Sequence, residues 1–140
     1  MSIEKITHQG KILAIIIRSK AIDDLEQSGE SMRFVTPDEF PFQIGIHNRK
    51  KDEIIQPHFH LPFTELKNFP VQEFFHVLSG KVKIDLYSEN DTKVSEIIVE
   101  TGDSIVLNTG HGFTFLDDAK LIELKQGHYR GRENEKRFLS

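Results

Sequence analysis

The sequence predicts an all-β fold, a sandwich or barrel of short antiparallel strands. Short apolar or alternating runs recur along the whole chain, Gly, Asp, Asn and Ser separate them, and no long run with a helical period intervenes. At 140 residues the chain has the usual size of one domain with one core, so residues 1–140 are read as a single domain. The composition, 37% hydrophobic and 29% charged with eleven Phe and no Trp, is that of a soluble globular protein whose core leans on Phe, Ile, Leu and Val.

Taken in order, residues 12–17 (Ile-Leu-Ala-Ile-Ile-Ile) read as a buried strand. The run is too short to span a membrane, which takes about 20 apolar residues, and no small-residue cleavage site follows it. A cytoplasmic protein without a membrane partner is the expectation. Residues 22–30 are polar and hold either a turn of helix or a loop, and Pro37 and Pro41 break up residues 31–41. This leading segment is the least regular part. Phe42, Ile44 and Ile46 then alternate with Gln43, Gly45 and His47, the pattern of a strand with one buried face. After an exposed turn at 50–53, residues 54–60 form the next strand, and residues 61–70, with two prolines, a loop or ragged strand. Residues 71–78 and 81–87 flank Ser79-Gly80, a two-residue hairpin signal. Turns at 89–91, 101–103 and 117–118 delimit strands at 94–99, 104–107, 113–116 and 120–126, with a loop at 108–112. Beyond Arg130 the chain turns charged and is expected to fray.

A net charge of -4, with Lys and Arg scattered, gives no nucleic-acid surface. Without cysteine, any metal must be held by imidazole, carboxylate or other oxygen. His58 and His60 lie two apart on a strand, so both side chains point to one face and can grip one ion. Glu73 heads a strand that is otherwise hydrophobic; it is either an exposed strand end or a buried carboxylate that needs a cation or donors. His111 follows Asn108-Thr109-Gly110 and is either a ligand at the mouth of a loop or a solvated loop histidine.

In this order the residues resemble the two motifs of the cupin superfamily. His58, His60, Glu73 and Gly80 match the first, and Gly102, Gly110 and His111 match the second. The likeness covers residues 42–126 and implies a cupin-type antiparallel β-barrel, or jelly roll, with one divalent transition metal (Fe, Mn, Ni, Zn or Cu) on His58, His60, Glu73 and His111. Two departures stand out. The stretch from His60 to Glu73 exceeds the family's usual spacing, which brings Glu65 forward as a rival ligand, and Asn108 stands where the motif commonly has Pro. Such small barrels commonly pair, so the resemblance also implies a homodimer.

Other residues are candidates for chemistry at the metal. Glu123 and Lys125 share one strand face and are either an inward acid/base pair or a solvated face. If Phe42, Ile44 and Ile46 face outward into a partner, His47 points into the barrel. His128 and Tyr129 are candidates to cover the barrel mouth, and His76, three positions on from Glu73, faces the other side of its strand. Residues 123–129 together with Gly110-His111-Gly112-Phe113 are similar to small bacterial cupins found with surface-polysaccharide and nucleotide-sugar genes. The resemblance thus implies a small-molecule ligand and, as the favoured activity, a metal-dependent isomerase or epimerase acting on a small sugar-like or hydroxy-keto compound. An Fe-dependent dioxygenase, a non-catalytic sugar- or acid-binding module, and a metal-free epimerase using a His base and Tyr129 are the alternatives.

Overall fold

A computed structural model describes residues 2–18, 20–66 and 71–139. In chain order its elements are β1 (Ile3–His8), β2 (Lys11–Ile17), α1 (Ala21–Ser28), β3 (Met32–Phe34), β4 (Phe42–Arg49), β5 (Ile54–His60) and a 3₁₀ turn (Thr64–Leu66). There follow β6 (Glu73–Ser79), β7 (Lys81–Tyr87), β8 (Lys93–Glu100), β9 (Ser104–Leu107), β10 (Gly110–Phe115), β11 (Ala119–Gln126), α2 (Arg132–Glu135) and β12 (Lys136–Phe138). Residues 67–70 of the loop expected at 61–70 lie outside the described residues. Among the described residues no helix is long and apolar enough to cross a membrane.

Two five-stranded sheets, ordered β12-β5-β10-β7-β8 and β3-β4-β11-β6-β9, form the body, and all their strand pairs are antiparallel. From β4 onward the chain passes to the other sheet at β5, β6, β7, β9, β10, β11 and β12, the winding of a jelly roll. This corrects the hairpin expected at Ser79-Gly80, because β6 pairs with β11 and β9 while β7 pairs with β10 and β8. Gly80 instead makes a corner between sheets. Its φ of 107° suits glycine, and a Cβ there would run into the Asp118 carbonyl. The turn at 89–91 does close a hairpin, between β7 and β8.

Period-two alternation sets the core. Phe75 and Val77 from β6, Val82 and Ile84 from β7, Phe113 and Phe115 from β10, and Leu121 from β11 pack between the sheets, each almost fully buried. Burying side chains of this size stabilises the fold by about 1.5–3 kcal/mol apiece. Along β11 the inward row reads Ala119, Leu121, Glu123, Lys125, all buried, so the solvated-face alternative for Glu123 and Lys125 does not hold.

A second core lies outside the sandwich. Asp23 and Asp24 in the first turn of α1 complement its dipole, and Gly29 at φ 77° ends it. Ala21, Ile22 and Leu25 on its inner face cover Ile46 and Val35, with Ile3, Ile17, Ile44 and Ile122 around them. Ile46 is therefore covered by the leading segment of its own chain, and β4 is not the strand with one buried face that its alternation suggested.

The C-terminal segment is likewise ordered where fraying was expected. β12 adds to the edge of β5, pairing Lys136 with His60 and Phe138 with His58. Ahead of it Glu135 is only 4% exposed, because it accepts hydrogen bonds from the Arg130 amide at 2.8 Å, the Arg130 guanidinium at 3.3 Å and the Lys125 ammonium at 3.5 Å. A charged composition here reflects charges that satisfy one another inside the protein.

Candidate metal centre

β5 presents His58 and His60 on its inward face, and in β10 the backbone pairs His111 directly with His58. His111 thus stands in a strand, not in the loop expected at 108–112. Its neighbours explain how the two strands come close. A Cβ on Gly110 would lie 2.6 Å from the Phe59 ring and one on Gly112 2.8 Å from Pro57, so only glycine lets β10 pass under those two rings. The imidazole centroids of His58 then lie 5.0 Å from His60 and 4.8 Å from His111. Glu73 arrives from the opposite sheet as the first residue of β6, with its Oε1 2.6 Å from His60 Nε2 and 3.0 Å from His111 Nε2. One donor atom from each of the four residues lies within 4.8 Å of the others.

The arrangement fits a divalent ion. His58 and His111 each direct Nδ1 at a backbone carbonyl, Gln56 at 2.6 Å and Thr109 at 2.7 Å, and an Nδ1–H donated there leaves the Nε2 lone pair free to ligate. Both ring nitrogens of His60 are buried without a hydrogen bond. Its Nε2 is close to Glu73 yet poorly aligned with it, as expected of two donors aimed at a common point. Leaving such a buried atom unpaired costs about 1–3 kcal/mol, which a cation would offset. Ligands about 2.1 Å from an ion lie at most about 4.2 Å apart, so a small inward adjustment closes the quartet. Three imidazoles and a carboxylate suit Fe, Mn, Ni, Zn or Cu.

Electrostatics favour the ligating state. Burial pushes Glu73 upward, but the Glu123 carboxyl and the close approach of the His111 and His60 rings outweigh it and hold the carboxyl well below its usual range. Burial, and then the Glu73 charge beside it, push Glu123 well above that range. The proton of the pair therefore resides on Glu123. Burial, reinforced by Lys136, lowers His58 to about 3; burial also lowers His60, partly offset by Glu73. His47 is lowered to about 3 by burial and then by Arg49. Arg49 Nε donates to His47 Nδ1 at 3.1 Å, which leaves Nε2–H to donate to Glu123 Oε1 at 2.8 Å.

The quartet opens onto a cavity of about 300 Å³ that His47, Glu123 and Lys125 also line. Lys125 is held by Glu135 and lies over the Phe34 ring, 5.0 Å from its centroid. Tyr129 lines the cavity too, whereas His128 does not and packs on Phe63 instead. His76 bonds Ser104 at 2.8 Å, away from the quartet, and Glu65 sits exposed on the 3₁₀ turn outside it. Sequence reasoning missed Arg49, Glu135, Lys136 and Phe138 in the cavity wall. Arg49 extends the inward row of Gln43, Gly45 and His47 and was open to discovery; the other three belong to the tail expected to fray.

No family model matches the chain, and no curated protein matches it in sequence. Solved structures match in fold. BH2720 from Bacillus halodurans is 15% identical with a TM-score of 0.63, over 91% of this chain and 90% of that one. KdgF from Halomonas sp. is 18% identical with a TM-score of 0.52, over 74% and 82%. Bacillus subtilis oxalate decarboxylase, described with its Mn(II) centres, is 16% identical with a TM-score of 0.56, over 77% of this chain but only 27% of that one. The chain has the cupin fold, two antiparallel sheets packed as a sandwich with a buried cluster of three histidines and one glutamate between them.

Proposed function

We propose that the protein is a metal-dependent isomerase or epimerase acting on a small hydroxy-keto compound. The supporting observation is that Glu123 and Lys125 line the same cavity as the His58, His60, Glu73 and His111 quartet, with His47 bonded to Glu123. A divalent ion held by the quartet would polarise an oxygen of the ligand. The chain's own groups do the rest. Moving a proton at the carbon beside a carbonyl needs a side chain that takes it up and returns it. Glu123 has that position: it lines the cavity as the proton-bearing member of its pair with Glu73, with one oxygen held by His47, so it gives up a proton and takes one back. Lys125, next on the inward row and in register with Glu73, supplies a second polar group, which Glu135 orients. Phe34, Phe75 and Phe113 in the cavity wall keep water out and strengthen these interactions. A cavity of about 300 Å³ is at the small end for ligand sites and suits a sugar-sized compound better than a nucleotide sugar. A binding module would need no proton-transfer group beside the quartet.

The test is solvent exchange in D₂O. Metal-loaded protein incubated with a panel of small hydroxy-keto sugars and acids is expected to introduce deuterium beside a carbonyl, read by NMR. Glu123→Gln is expected to slow this by about 10²-fold or more while keeping its metal. Exchange that survives both Glu123→Gln and Lys125→Met would remove the reading.

A further inference from the structure

Building on the metal-centre reading, we infer that the ligand is an organic acid whose carboxylate is held by Lys136, with a hydroxyl or keto oxygen on the adjoining carbon turned to the quartet. Four cationic side chains, Arg49, Lys125, Arg132 and Lys136, line the cavity against three carboxylates, Glu73, Glu123 and Glu135. The surplus is positive before any metal enters, and a divalent ion enlarges it. The cations differ in how they are engaged. Arg49 is taken up by Glu53, Ser31 and His47, and Lys125 by Glu135, while Arg132 is exposed. Lys136 is half-buried and, among the described residues, has no hydrogen bond or ion pair.

An ammonium partly withdrawn from water costs free energy, and here burial outweighs the attraction of Glu73, Glu123 and Glu135, none of which touches it, so an anion entering from solvent to contact it would offset that cost. The backbone sets where that anion would lie. Lys136 pairs with His60 across β12 and β5, so the two side chains stand side by side on the inward face. A carboxylate at Lys136 therefore brings its neighbouring carbons beside the quartet. The same geometry favours carboxylate over phosphate. Phosphate, with its greater charge, is most often held by several donors at once, forked arginines or backbone N–H groups at the start of a helix with or without a lysine, whereas here one unengaged ammonium projects from a strand.

Isothermal titration of the metal-loaded full chain tests the assignment, with glycerate and gluconate as probes, each beside its neutral amide, and inorganic phosphate as a further arm. Wild type is compared with Lys136→Gln and Lys136→Arg, and thermal unfolding reports whether each variant folds. At least one acid is expected to bind wild type about tenfold or more tightly than its amide. Lys136→Gln should erase that preference and Lys136→Arg keep it. Acids that bind no better than their amides, or a preference that survives Lys136→Gln, overturn the proposal, and phosphate binding as tightly as the better acid overturns the choice of carboxylate. Metal content of the same samples separates the two readings: a wild type that takes up no metal sinks the centre, while the acid-over-amide preference reports Lys136.

Discussion

On β6 the inward row runs from Glu73 to Phe75 and Val77; on β10 it runs from His111 to Phe113 and Phe115; on β11 it runs the other way, from Leu121 to Glu123 and Lys125. The same three strands thus carry an apolar core at one end of the sandwich and ionisable groups at the other, and the change takes a single step of the pleat. The two ends have the same backbone pairing but opposite energetics. Apolar burial stabilises the closed end. At the open end, withdrawing Glu73, Glu123 and three imidazoles from water costs stability, a cost accepted where groups are arranged for chemistry.

Truncation at the closed end should have the largest effect. Phe115→Ala, at a side chain with no exposure, is expected to lower unfolding free energy by about 3–5 kcal/mol in chemical denaturation and to leave the metal content of the folded fraction unchanged. A loss of metal without a loss of stability would break the division between the two ends.

Acid should act through the open end. His47 and His58 have folded values of about 3 against an ordinary value of 6.5, so below pH 6.5 the unfolded chain takes up protons that the folded chain refuses. The contribution of these two rings must then fall as pH drops from 6.5 toward 3, while the raised Glu123 contributes in the opposite direction. For metal-free protein the two histidines together should contribute a loss of about 2 kcal/mol between pH 6.5 and 5.5, and His47→Phe should halve it. Because the raised Glu123 acts in the opposite direction, the comparison is between wild type and variant: a pH dependence that His47→Phe leaves unchanged would mean that the His47 ring is not buried in neutral form.

Much of the open end was legible because its signals are local. Two histidines one residue apart on a strand, and a histidine between glycines, need only strand geometry to be read, and Glu73 follows from its place ahead of Phe75, Val77 and Gly80. The rest depends on distant partners. Ser79-Gly80 carries the same residues whether it closes a hairpin or turns a corner between sheets, and only the pairing of β6 with β11 decides. Residues 131–138 look like a solvated tail because Glu135 meets its partners Arg130 and Lys125 only in the fold. The role of α1 was hidden in the same way, since its three buried residues gain meaning from Ile46, which the sequence alone would offer to a partner protein.

Smaller effects sharpen the comparison at the site itself. Glu73→Gln should abolish metal uptake yet change the stability of the metal-free protein by no more than about 1 kcal/mol, because the lost attractions and the relieved desolvation nearly cancel. A loss of several kcal/mol by denaturant titration would assign Glu73 to the folding core. Glu65→Gln, on the exposed 3₁₀ turn, should alter neither metal content nor stability beyond about 0.5 kcal/mol. Metal lost in that variant would restore Glu65 as the ligand.

The most direct test of the centre is elemental analysis of purified protein reloaded with divalent metal, comparing wild type with His58→Ala and Glu73→Ala. Wild type should hold about one ion per chain, and each variant about a tenth of that or less under the same wash. Variants that keep the wild-type stoichiometry, or a folded wild type that holds no ion, would contradict a metal centre built on His58, His60, Glu73 and His111.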